Sequence, residues 1–399
     1  MLKTELGSGS PWQLVAMRAL EYLLGQWPLE FEEARHTILF PKVLGLGSRS
    51  RTHAGIVFRG ALMLVLVRLG LGSKYEAYTG DIFQRALIAD ALALADAEFD
   101  IGLRTHIERE VHYLLGSRRR DEVGGWSYFP NLDELPPDAD DLAQIMQLLT
   151  RTGRRKDLMS YCERPLEVLL RDCLHENGSF ETWLIPRGNR TASQRRQAHF
   201  VNVAWGRGQD CEVNANLLYA LQKSGLSRFR PIINNGVRYL ESCQGDDGSW
   251  SSTWYHGPYY ATYMCLRIIA EIAPTSSALR AALGFIEHNQ LQDGGWGSNG
   301  VSDPLSTSLA LLGVSCDVSQ KEKGLAIATR GIEYLEWSTK SPDQWSDCPF
   351  IRMDVGRAKG RPGPVLTYKS RTVTAAFILK AAIAWSATSL ASGPAASDV

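Results

Sequence analysis

An all-α protein built from stacked helical hairpins is predicted by three features of this 399-residue sequence. Apolar residues recur at helical spacing, convincing alternating strands are missing, and glycine–aromatic turns separate the helical stretches. Helical periodicity runs through residues 83–94, 142–149, 217–221, 260–272 and 373–387. The turns are GGW at 124–126, NGSF at 177–180, DDGSW at 246–250 and DGGWG at 293–297. Their aromatics, Trp126, Phe180, Trp250 and Trp296, stand roughly 50–70 residues apart, enough each time for two helices and their connections. Glycine takes the positive-φ position of such a turn while the aromatic folds back between helix ends. A single turn of this kind is equally well a helix C-cap, but four together argue for a repeat.

The longest interval contains an irregular, Arg-rich stretch, residues 186–209, expected to bulge as a loop. Residues 341–364 are rich in Pro, Gly and Asp and show little periodicity. The most apolar run, 61–71, is interrupted by Arg68 and is too short to span a bilayer, so a core helix is expected there. One domain over 1–399 is expected, with flexible tails at 1–10 and 390–399.

Composition excludes several classes. With 43 Lys+Arg against 43 Asp+Glu, no net field favours nucleic acid or an anionic membrane. Hydrophobic residues at 44% and charged residues at 22% exclude wholesale disorder. The seven cysteines lack a C-x-x-C pair and do not read as a disulfide framework; with no signal-peptide pattern at the start, a cytoplasmic location is expected.

The chemistry-bearing feature is Pro136-Pro137-Asp138-Ala139-Asp140-Asp141, three carboxylates within four residues directly before an apolar helical run. Two prolines followed by acids mark a helix N-terminus, where Asp138 caps backbone N–H groups and the others favour the helix dipole. Crowding allows a second role: carboxylates this close in a poorly hydrated site cannot all ionise, so one holds its proton and becomes a Brønsted acid. That role requires burial, with Asp138 and Asp141 accepting hydrogen bonds and Asp140 carrying the proton.

The DADD stretch resembles the D-x-D-D motif of class II terpene cyclases, which include squalene-hopene cyclases and bicyclic prenyl-diphosphate synthases. QGDDGSW at 244–250 and QLQDGGWG at 290–297 resemble that superfamily's QW repeats, and the likeness extends over most of residues 80–385. QW-like turns are shared with protein prenyltransferase β subunits and other α/α toroids, so the acid motif is the discriminating part. The resemblance implies an (α/α)6-type barrel in which Asp140 protonates a terminal alkene or epoxide, supported by Asp138 and Asp141, and the carbocation cyclises in an aromatic-lined cavity. Two departures stand out: the family's usual Thr after the motif is Leu142, and the length suits a lone β-type domain, without the γ domain that often carries a magnesium-binding motif.

A carbocation needs aromatic faces, worth roughly 0.5–2 kcal/mol per well-placed ring. Trp126, Tyr128 and Phe129 before the acids, Trp205, and the group Trp254, Tyr255, Tyr259, Tyr260 and Tyr263 are the candidates, each equally able to be core. For a diphosphate, two basic concentrations stand out: Arg187, Arg190, Arg195, Arg196 and Arg207, and Arg352, Arg357, Lys359, Arg361, Lys369 and Arg371. A solvated surface, a membrane-facing rim or a partner-facing rim explains them as well. Residues 368–372 are the sharpest site, because hydroxyls, cations and a helix N-terminus converge there. Asp210, Cys211, Glu212 and His199 have poor zinc spacing; no zinc is expected, and magnesium carried by the diphosphate is left open. His256 is a further ligand or acid-orienting candidate, and Glu212 and Asn216, four apart on one helical face, are placed to orient the acid.

These features together point to a class II terpene cyclase that converts a linear prenyl diphosphate, farnesyl diphosphate first, to a cyclic product with the diphosphate retained. In the resembled family this gives a drimane-type bicycle. Two other readings remain: a zinc-dependent prenyltransferase-like subunit with a partner chain, and a non-enzymatic toroid that binds lipid or protein.

Overall fold

Helices buried almost all round alternate along the chain with helices buried along one stripe. The computed structural model describes residues 10–41, 75–317, 321–341, 345–354, 356–360 and 365–390, together with 65 and 68. The apolar run at 61–71 and most of both expected tails thus fall outside the described residues, apart from those two positions, Ser10 and Leu390.

The helices are α1 Pro11–Gln26, α2 Ile82–Phe99, α3 Arg104–Gly116, α4 Ala139–Arg151, α5 Arg155–Val168, α6 Ala192–Ala204, α7 Cys211–Lys223, α8 Arg230–Ser242, α9 Tyr259–Ile272, α10 Ser277–His288, α11 Pro304–Val314, α12 Lys321–Ser338 and α13 Arg371–Leu390. Inner α7 buries every position from Cys211 to Leu221 except Tyr219, whereas outer α8 buries Ile233, Gly236, Val237 and Leu240 and leaves the rest towards water. Helices α2, α4, α7, α9, α11 and α13 each pack on the next, and α13 closes the ring on α2. Outside them lie α3, α5, α8, α10, α12 and α1, each against its inner neighbour. This is the (α/α)6 barrel expected from the hairpin spacing and the family resemblance.

The recurring turns work by close approach. Trp126, Trp250 and Trp296 are fully buried, and each indole N–H donates to a carbonyl in the preceding outer helix, at Leu114 (2.6 Å), Leu240 (2.7 Å) and Ile286 (2.7 Å). Gln244 and Gln290 each donate both to their own turn and to the next outer helix, at Ala278 and Ile327 (2.8 and 2.9 Å). Gly248 and Gly294 have φ near +90°, and a Cβ there would stand 2.4 Å from the carbonyl oxygens of Ala281 and Arg330. Glycine is therefore required twice over, by backbone conformation and by contact with the neighbouring hairpin.

Two expectations are corrected. Residues 186–209 are not merely a loop, because α6 forms within them, its N-terminus closed by a reciprocal Thr191–Gln194 capping box (2.9 and 3.2 Å). Strands are also present among the described residues, as three two-stranded antiparallel ladders: β1 His36–Pro41 with β2 Tyr75–Gly80, β3 Gly297–Ser298 with β4 Val301–Ser302, and β5 Pro349–Asp354 with β6 Val365–Lys369. Of the last ladder, β5 lies in the segment that lacked periodicity; the pairing holds a bulge near Pro349, and only part of β5 alternates between faces.

Deep in the ring, Asp90 is buried between Arg151 (2.5 Å) and Lys380 (2.6 Å). Burial alone would raise its carboxyl, but Lys380 and Arg151 pull it below its ordinary value. Gly294→Ala is expected to cost about 2 kcal/mol or more in urea unfolding, through strain and backbone overlap. Gly284→Ala, on open α10 where a Cβ meets nothing within 4 Å, should be neutral or stabilising by up to about 1 kcal/mol.

Candidate functional site

The first turns of α2, α4 and α7 bring Phe83, Asp140 with Asp141, and Val213 to one end of the ring, where a cavity of about 520 Å³ opens to one side. Trp183, Trp205 and Trp254 form one wall, with ring centroids 5.6–6.0 Å apart; Tyr128 and Phe129 form another. Strand β5 covers it with Ile351 and Met353, fixed by the Arg352 N–H to the Trp254 carbonyl (2.8 Å).

Asp138 is the N-cap of α4: its Oδ1 accepts from the N–H groups of Asp140 (3.1 Å) and Asp141 (2.8 Å). The capping role read from the sequence is thus real, and it coexists with burial of all three acids at 5%, 8% and 1% exposure for Asp138, Asp140 and Asp141. All three border the cavity, and Asp140 is the most open of them. Its Oδ1 accepts from Asn216 Nδ2 (2.6 Å), and its Oδ2 accepts from the Tyr255 hydroxyl.

The orientation of Asn216 is dictated by its other end. Its Oδ1 accepts from Gln147 Nε2 (2.6 Å) and from Arg267 Nη2 (2.7 Å), so only Nδ2 can face Asp140. Arg267 is itself buried, with Tyr219 4.0 Å beneath its guanidinium. Burial pushes the Asp140 carboxyl up to about 6, and the bonds from Tyr255 and Asn216 and the charge on Arg267 restrain the rise. Burial likewise raises Asp138, against the backbone N–H groups it caps. Asp141 departs from expectation: neither of its carboxyl oxygens meets a donor, and burial beside Asp138 and Asp140 raises its pKa well above the carboxylate range. It is not a second acceptor but a carboxyl that keeps its proton, which spares Asp140 a negative neighbour.

The remaining sequence candidates divide. Phe129, Trp205, Trp254 and Tyr255 line the cavity, and Tyr260 stacks behind Tyr255 at 3.8 Å. Trp126 belongs to a turn, and Tyr259 faces Phe285 (5.9 Å) in an outer helix, so neither lines the cavity. Arg352 is engaged by Asp354 (2.8 and 3.0 Å), and Arg190 by the Pro186 carbonyl. Residues 368–372 offer no free anion site. Glu33 already accepts from Ser370 Oγ (2.8 Å), the N–H groups of Arg371 (2.7 Å) and Thr372 (2.9 Å) and the Thr372 hydroxyl (2.5 Å), while the Lys369 and Arg371 side chains are exposed.

His256 and His199 point their side chains to solvent. Glu212 is fully buried and caps the 252–254 segment through Ser252 Oγ (3.0 Å) and the N–H groups of Thr253 (2.7 Å) and Trp254 (2.9 Å); it does not orient the acid, whereas Asn216 does. Among the described residues, no group of three His, Cys, Asp or Glu side chains is arranged to hold a metal, and no helix is long and apolar enough to cross a membrane. Sequence reasoning missed Phe83, Trp183 and Arg267. The last carried a legible signal, a lone arginine in the apolar run of α9.

Residues 116–357 match the model for the squalene-hopene cyclase C-terminal domain. The chain belongs to that family. Its relatives include a squalene–hopene cyclase of Zymomonas mobilis, 24% identical over 247 residues (58% of this chain, 37% of the relative). A terpentedienyl-diphosphate synthase of Kitasatospora griseola is 27% identical over 180 residues (41% of this chain, 36% of the relative). The chain thus spans little more than a third of these curated relatives. In fold, the chain is similar to the type II terpene cyclase MstE of Scytonema, solved as an arginine-to-alanine variant with geranylgeranyl dihydroxybenzoate (15% identity, 95% of this chain, 98% of that chain, TM-score 0.64).

Because the fold favours the neutral form of Asp140, the native state binds more protons than the unfolded chain between about pH 4 and 6, and stability falls as pH rises through that window. Asp140→Asn removes this penalty while its amide can still pair with Asn216 and Tyr255. By calorimetry, the variant should therefore be more stable than wild type at pH 8, by up to about 3 kcal/mol, and the two should converge below pH 4.

Proposed function

We propose that this domain is a class II terpene cyclase acting on a linear prenyl diphosphate, in which Asp140 protonates the terminal alkene and the ring-forming carbocation is held among aromatic faces with the diphosphate retained. The observation that carries this is the Asp140 carboxyl itself: raised by burial, bordering an aromatic cavity, and hydrogen-bonded so that its conjugate base is already solvated by Asn216 and Tyr255. Burial keeps the proton on the acid up to about pH 6. The prearranged donors then stabilise the carboxylate as it forms, without solvent reorganisation.

Phe83, Phe129, Trp183, Trp205 and Trp254 offer ring faces and no carboxylate to trap the cation. At the tryptophan wall, Arg357 lies 4.4 Å over the Trp254 ring, and Arg187 and Arg207 stand 3.4 and 3.6 Å from Glu181. Arg207 Nε and Nη2 and the Trp205 indole N–H are buried without hydrogen-bond acceptors among the described residues, which supports this rim as the place for the diphosphate oxygens. Glu181, the carboxylate beside them, is already committed to Arg187, Arg207 and His175. These side chains do not fit a magnesium site, and no step here runs through that ion.

The arginine-bearing rim favours a charged head group over a thirty-carbon hydrocarbon, and among prenyl diphosphates a fifteen-carbon farnesyl chain, giving a drimane-type bicycle, is the first choice. Incubation with farnesyl diphosphate, geranylgeranyl diphosphate and squalene, followed by phosphatase treatment and product analysis, should yield a bicyclic sesquiterpene alcohol from the first. Asp140→Asn should lower turnover at least about a thousandfold, because no proton is delivered. Wild-type turnover should fall as pH rises above about 6, when the acid is lost. Unchanged cyclisation by Asp140→Asn would sink the assignment.

A further inference from the structure

Cyclisation begun by a proton has to end by losing one, and the cavity wall formed by Tyr128 and Phe129 holds a group suited to take it. Tyr128 lines the cavity, and its hydroxyl lies 2.9 Å from His36 Nδ1 and 2.5 Å from Gln84 Nε2. Gln84 can only donate through that nitrogen, so the phenol oxygen accepts there. The hydroxyl hydrogen is thereby directed to Nδ1, and one oxygen lone pair is left over. The imidazole is fixed in place: it is 6% exposed, sits 4.8 Å from the Tyr368 ring and meets Tyr128 edge-on. Burial lowers its pKa to about 4, so it stands neutral at physiological pH with Nδ1 free to accept.

We propose that Tyr128, backed by His36, is the terminating base of the cyclase reaction. The inference rests on the cyclase reading given above. A C–H bond beside the final cationic carbon breaks, and its electron pair becomes the new C=C bond. The proton passes to the Tyr128 oxygen as the phenolic hydrogen moves to His36 Nδ1. The imidazolium so formed is disfavoured by its burial and gives the proton up to solvent, while Asp140 regains one, so the cycle is a net isomerisation. Two other cavity hydroxyls have an acceptor behind them: that of Tyr255 donates to Asp140 Oδ2, the acid that starts the reaction, and that of Thr182 donates to Asp210 Oδ2 (2.6 Å). Asp210 Oδ2 also holds the Trp254 indole (2.8 Å), and taking up a proton there would loosen the aromatic wall. Tyr128 and His36 carry no such second duty.

The test compares wild type, Tyr128→Phe, His36→Phe and Thr182→Val, with folding checked by circular dichroism and thermal melting. Substrate consumption and product distribution are read separately. Consumption by Tyr128→Phe and His36→Phe should fall far less than in Asp140→Asn, since Asp140 still starts the reaction. Both should lose the wild-type olefin as the dominant product, in favour of double-bond isomers or a water-quenched alcohol, and the double variant should resemble either single one. Thr182→Val should keep the wild-type profile. An unchanged profile in Tyr128→Phe, or a shift confined to Thr182→Val, overturns the inference while leaving the cyclase reading intact. No prenyl substrate consumed by the folded wild-type protein would overturn both. If either ring variant fails to fold, Tyr128→Leu and His36→Leu serve the same comparison.

Discussion

The protein depends on keeping a carboxylic acid neutral where a helix begins. An N-terminal turn is a poor place for this, because its dipole and free N–H groups favour the charged form. The chain resolves the conflict by dividing labour within the motif. Asp138 spends its carboxylate on the N–H groups of Asp140 and Asp141, so the positive end of α4 is answered by a neighbour of Asp140. Asp141 receives no donor, and Asp140 is left with burial and two side-chain hydrogen bonds.

The surrounding barrel exists to hold that arrangement dry. Asn216 orients the acid because Gln147 and Arg267 fix its carbonyl, and these four residues come from three successive inner helices of the ring. A shift of one helix by one position would turn the amide and place a carbonyl against a carboxylate. The turns that set helix spacing are therefore coupled to chemistry some distance away. Each tryptophan ties its turn to one outer helix, while glutamine and glycine seat it against the next. The tryptophans themselves are structural; the aromatic cavity is drawn from other positions.

Several site features lie in the sequence as local patterns with a single physical cause. Prolines and acids before an apolar run mark a capped helix, and the glycine–tryptophan turns mark the hairpins, because both effects act over a few residues. The T-x-x-Q box at 191–194 and the arginine in the apolar α9 were equally local and went unread. The basic run at 368–372 misled for the opposite reason. Its hydroxyls and helix end do converge, but Glu33, more than three hundred residues away, had already filled the site.

By itself, the sequence determined that the chain is helical, repetitive and centred on an acid cluster at a helix start, since period, turn chemistry and capping are set by near neighbours. Tertiary structure alone decided which acid Asn216 and Tyr255 hold, which arginines are free, and that Tyr128 meets His36 across ninety-two positions. Protonation state and accessibility depend on burial and on partners supplied by distant segments, and those quantities come into being only when the ring closes.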